Sequence, residues 1–64
     1  MPEENITALQ KLDALQRELK YRRRVYPRLI AEGKMAESFA KAQIEMFEAM
    51  AEDYRKLAEK ERLL

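Results

Sequence analysis

The run Arg22-Arg23-Arg24-Val25-Tyr26-Pro27-Arg28-Leu29-Ile30-Ala31-Glu32-Gly33-Lys34-Met35 decides how this chain folds. It holds the one interior proline and the one glycine of a 64-residue sequence that is otherwise rich in helix formers. A proline pushes the residue before it, here Tyr26, away from α geometry, and Pro27 is itself suited to open a new turn. Gly33 can take the left-handed conformation that closes helices. The reading predicts a break near Val25, a short helical turn over residues 27–32 and a corner spanning 26–35, with Leu29 meeting Met35 around it. The alternative is one kinked helix in which neighbours rescue the proline.

Before the corner, Ala8, Leu12, Leu15, Leu19 and Tyr26 recur at helical spacing and form one narrow stripe, with Leu9 on its flank. Thr7-Ala8-Leu9-Gln10 is a capping-box pattern, while Pro2-Glu3-Glu4 also suits a first turn, so the helix starts between residues 3 and 8. A first helix over about residues 7–25 follows. Arg22 and Arg23 share the half of the helix that carries the stripe. An unpaired guanidinium is costly there, so they are expected to snorkel or to meet carboxylates across an interface, with acids of the second helix as candidate partners. Arg17, Tyr21, Arg24 and Arg28 lie on the other half.

After the corner, a second helix is expected over about residues 36–62, with Ser38 the only nearby side chain able to cap it. Ala40, Ile44, Phe47, Met50, Ala51, Tyr54 and Ala58 make its stripe, and Met35, Phe39, Met46, Leu57 and Leu64 carry the apolar surface round one side. Together they cover about half the circumference, more than the roughly 100° that one packing partner occupies. At 1.5 Å per residue the first helix would run about 28 Å and the second about 40 Å, so the end of the second would overhang. Glu45, Glu48, Glu52, Lys56, Glu59 and Lys60 are expected on its outward face as solvated, weakly pairing charges.

The fold class expected is therefore all-α: a single domain over residues 1–64, an antiparallel helical hairpin with a Pro/Gly corner, dimerising into a four-helix bundle. A chain this short buries too little surface to be stable without a staple. There is no cysteine and no histidine, which removes disulfides, thiolate metal sites and the commonest metal ligand and general base. Oligomerisation is the staple that remains. The residues expected at the oligomer interface are Phe39, Ile44, Met46, Phe47, Met50, Tyr54 and Leu57.

The same inventory speaks against an enzyme. Glu48 and Glu52 share a helix face, but without histidine the di-metal Glu-x-x-His pattern cannot be completed. The lone serine has no histidine base, and no glycine-rich loop exists to hold a phosphate. No catalytic residue, metal, cofactor or small-molecule substrate is expected. No apolar run is long enough to span a bilayer, and the acidic Met1-Pro2-Glu3-Glu4 is unlike the basic start of a signal peptide. The expectation is a cytoplasmic protein with no membrane partner.

Charge is unevenly distributed behind the net +1. Residues 17–34 hold seven basic groups against two acidic ones, a net of +5, and the segments on either side carry −2 each. The stripe Arg17, Lys20, Tyr21, Arg24 and Arg28 combines cations with an interleaved aromatic, the residue types that hold phosphate backbones or an acidic protein surface. Its bland alternative is a solvated basic face. For Met35, Met46 and Met50 core filling competes with an adaptable groove for another protein's helix.

From the corner onward, Arg22-Arg23-Arg24-Val25-Tyr26-Pro27, Gly33-Lys34-Met35, Ala40, Ile44, Phe47-Glu48-Ala49-Met50 and Asp53-Tyr54-Arg55 resemble a group of short uncharacterised helical proteins encoded by phages and prophages. That group shares an Arg-Arg-x-Val-Tyr-Pro, Gly-Lys-Met, Ala-x-x-x-Ile pattern, and the resemblance covers about residues 17–55. It implies a phage setting and no catalytic residues. Members place a threonine after the methionine, where this chain has Ala36, and the tail from Lys56 to Leu64 lies beyond the shared pattern.

The functional expectation is a non-enzymatic phage-type accessory protein that self-associates and binds a host or phage macromolecule through its basic hinge and apolar helix flank. The alternative is a nucleic-acid-binding protein of phage replication, recombination or transcription control.

Overall fold

The computed structural model describes residues 6–63. Two helices, α1 (Ala8–Ala31) and α2 (Glu37–Arg62), pack against each other as an antiparallel hairpin. The Thr7 hydroxyl accepts from the Gln10 backbone N–H at 3.1 Å, and the Gln10 side chain accepts from the Thr7 N–H at 2.9 Å. This reciprocal cap satisfies two donors that a helix start leaves without partners and sets the beginning of α1 at Ala8. The other start, at Pro2-Glu3-Glu4, lies outside the described residues.

The corner is shorter than the sequence suggests. Pro27 sits inside α1, which continues to Ala31, so the expected break near Val25 does not occur and the chain turns over residues 32–36. An interior proline removes one backbone donor and disfavours the helix by roughly 3 kcal/mol. Packing beyond it supplies the compensation: Tyr26 is buried, and Tyr26 and Ile30 line one groove with Ala40 and Ile44 of α2. A break at 26 would have taken both side chains off the seam.

Gly33 performs the termination assigned to it. At φ 72° it lets its own N–H reach the Ile30 carbonyl at 3.0 Å and the Lys34 N–H reach the Leu29 carbonyl at 2.9 Å, the paired bonds of a Schellman ending. α2 then starts without a side-chain cap. Ala36 holds the cap position, Glu37 places negative charge in the first turn, and Ser38 lies within the helix.

The helices are nearly equal, 24 and 26 residues, or about 36 and 39 Å long, so the overhang expected of α2 disappears. The backbone N–H of Ala8 donates to Glu61 Oε1 at 3.1 Å, which ties the start of α1 to the last turns of α2.

The seam carries the expected α1 stripe. Ala8, Leu12, Leu19 and Tyr26 are buried, Leu15 is half-buried, and Leu9 on the flank is exposed. From α2 only the small Ala40 is buried to the same degree among the described residues, with Ile44, Phe47, Ala51, Tyr54 and Ala58 half-buried. The molecule measures 47 × 23 × 15 Å, two helices wide and little more than one thick. A layer of that thickness encloses nothing, and no described side chain is fully buried.

Candidate functional site

Two adjacent arginines of α1 straddle the seam and leave it on opposite sides. Arg23 pairs with Glu48 of α2, which closes one flank of the hairpin. Glu48 is thus a cross-helix partner and not the outward, solvated charge expected of it, because the long Arg23 side chain reaches past the groove to meet it. Arg22 closes the other flank. Its guanidinium stacks 4.5 Å from the centroid of the Phe47 ring, donates to the Tyr26 hydroxyl at 2.8 Å and meets Glu18 at 3.0 Å. The Tyr26 hydrogen bond favours the charged form most, ahead of Glu18, and outweighs partial burial, so the Arg22 pKa lies above the usual arginine value. Its Nε is buried and has no hydrogen-bond partner. Both arginines are therefore structural. Lys11 takes a similar place farther along, 5.8 Å from the Tyr54 ring.

The face of α1 pointing away from α2 carries the basic stripe. Arg17, Lys20, Tyr21, Arg24 and Arg28 are all exposed. The first four line one shallow groove, and Arg24 lies 5.7 Å from the Tyr21 ring centroid. Arg22, Arg23, Arg55 and Arg62 each meet a carboxylate, whereas Arg17, Arg24 and Arg28 meet none among the described residues. The arginines without a carboxylate partner are thus collected on one surface, beside an exposed aromatic ring.

The seven residues expected at an oligomer interface fall into two groups. Ile44, Phe47 and Tyr54 are half-buried on the side of α2 that meets α1. Met50, expected in the stripe that meets α1, instead stays exposed. Phe39, Met46, Met50 and Leu57 lie on a second line about 100° round the helix. These four keep 54%, 55%, 36% and 44% of their surface exposed. Half-buried Leu15, Val25, Leu29 and Met35 also belong to the wider apolar surface.

No family model, no curated protein and no solved structure matches the chain.

Among the described residues no cluster of three or more acidic side chains is placed to hold a metal ion. No described helix is long and apolar enough to cross a membrane. What the geometry offers is recognition by charge and by apolar contact, on two separate faces.

Sequence reasoning found the basic stripe because its period matches a helix. It expected acids of the second helix as partners of Arg22 and Arg23, which Arg23 finds in Glu48 while Arg22 meets Glu18 of its own helix. It did not single out the Glu48 pairing or the Glu61 tie. Both join residues far apart in sequence, and a helix's own periodicity carries no information about them.

Proposed function

We propose that this chain is a non-enzymatic binding module, a helical hairpin that self-associates through the apolar flank of α2 and engages a host or phage macromolecule through the basic face of α1. The carrying observation is the segregation of its arginines. Those near the seam are paired with glutamates, and those on the outer face form no ion pair among the described residues. Concentrated charge of one sign on a rigid helix attracts a partner of opposite sign and selects its orientation. The likeness of residues 17–55 to short phage proteins supports the phage setting. An acidic protein surface is the partner of the first reading.

A second reading, nucleic-acid binding, is favoured by Tyr21 lying among Arg17, Lys20 and Arg24 on one groove, since an exposed ring offers a stacking platform beside phosphate contacts. One titration separates them. With DNA and RNA oligomers at low salt, the second reading gives affinity that falls steeply as salt rises and is lost in Arg17→Gln/Arg24→Gln/Arg28→Gln. A flat titration against both oligomers removes it. The first reading is tested by recovering an acidic protein from a phage-host lysate with the native chain and losing it with the triple variant. Equal recovery by both would overturn the basic face as the contact.

A further inference from the structure

The exposed line on α2 has an internal symmetry that bears on what covers it. Extended to its polar members, it reads Phe39, Gln43, Met46, Met50, Asp53 and Leu57, spaced four, three, four, three, four, the pattern of a coiled-coil seam. The six positions fall in pairs equidistant from residue 48: Phe39 with Leu57, Gln43 with Asp53, Met46 with Met50. Apolar is matched with apolar, and the one carboxylate with the one side-chain amide.

Resting on the self-association reading above, we infer that α2 packs antiparallel against α2 of a second copy, about a two-fold axis level with residue 48. In that register each Asp53 carboxylate faces the Gln43 amide of the other copy, which can donate to it. The flexible thioethers of Met46 and Met50 meet across the axis, and Phe39 and Leu57 close the two ends. A parallel pairing would instead set Asp53 against Asp53 in the middle of an apolar seam. Two further observations fit the second copy. Ala42 and Ala49, both exposed, border the line on the side away from α1 and let a neighbouring backbone approach. Glu48, level with the axis, is turned to the opposite side and occupied by Arg23, so no carboxylate stands at the centre of the seam. The roughly 100° between this line and the side meeting α1 is the corner angle of a square of four helices.

The chain has no cysteine, so single cysteines report pairing without background. Gln43→Cys and Asp53→Cys are prepared separately and mixed, and each sample is left to oxidise in air. Facing seam residues fall within disulfide range, about 4.4–6.8 Å between Cα atoms. In the antiparallel register the two copies of residue 43 lie about 15 Å apart along the axis. The expected result is a cross-linked dimer in the mixture and little in either variant alone. Cross-linking of each variant alone would show a parallel seam and overturn the inference. A dimer by sedimentation with no cross-link in any sample would overturn the register while leaving self-association intact, and a monomer throughout would remove both.

Discussion

The backbone N–H of Ala8, the first residue of α1, donates to the carboxylate of Glu61 in the penultimate position of α2, 3.1 Å away. This bond closes the open end of the hairpin, opposite the Gly33 turn, and puts a negative charge at the positive end of the α1 dipole. Glu61→Ala is expected to destabilise the fold by about 1 kcal/mol. Amide exchange over the first turn of α1 should accelerate, while Glu61→Gln, which keeps the acceptor oxygen, retains most of the protection.

At the middle of the seam, Phe47 lies under the Arg22 guanidinium. Phe47→Ala removes both its packing and the surface on which that charge rests, and a loss of about 2–3 kcal/mol is expected by denaturant titration. Tyr26→Phe takes away only the hydroxyl that accepts from Arg22, and about 1 kcal/mol is expected.

Pro27 and Gly33 give opposite outcomes on substitution to alanine. Pro27→Ala restores a donor for the Arg23 carbonyl inside a continuous helix, so stability and helical circular dichroism should rise, the former by roughly 1–3 kcal/mol. Gly33→Ala meets no steric obstruction, since nothing lies within 4 Å of the added carbon, but it holds alanine at φ +72°. A loss of about 1 kcal/mol is expected from backbone strain alone.

Much of this architecture is legible in the residues themselves. The stripe Ala8, Leu12, Leu19, Tyr26, the Thr7–Gln10 cap and the Gly33 ending are all local or periodic signals, and each stands where the residues place it. Pro27 is the instructive failure. The local penalty is real, but Tyr26 and Ile30 bury enough surface against α2 to keep the helix going, and that gain is invisible until the partner helix is in place. Moving the corner by six residues then equalises the helices and brings Glu61 to Ala8. The basic stripe was legible as a pattern. Its lack of carboxylate partners was not, because that depended on Glu18 and Glu48 being taken by Arg22 and Arg23.

Acid should act locally on the flank of the seam where Glu52 and Arg55 line a groove with Gln16 and Arg23 of α1. Arg55 donates to Glu52 and holds its carboxyl below the usual glutamate range. Because the folded pKa is lowered, the stabilisation is present at neutral pH and is lost as pH falls through the folded-state value. Glu52→Gln is expected to lower the melting temperature slightly at pH 7 and to have no effect once the wild-type carboxyl is protonated. Both groups are exposed, so the difference is small and salt-sensitive.

The arginines of the outer face should be silent in stability. Replacing Arg17, Arg24 and Arg28 by glutamine breaks no ion pair among the described residues, and the change in unfolding free energy should stay within about 0.5 kcal/mol. A larger loss by denaturant titration would mean that these side chains hold the fold together instead of facing a partner.

A bent pair of helices only 15 Å thick leaves Phe39, Met46, Met50 and Leu57 in water unless another chain covers them. Sedimentation velocity across a concentration series, read together with the thermal midpoint at each concentration, tests this most directly. The account predicts a species of twice the chain mass whose midpoint rises with protein concentration, and a shift toward monomer for Met46→Lys/Leu57→Lys. A folded monomer with a concentration-independent midpoint would contradict it.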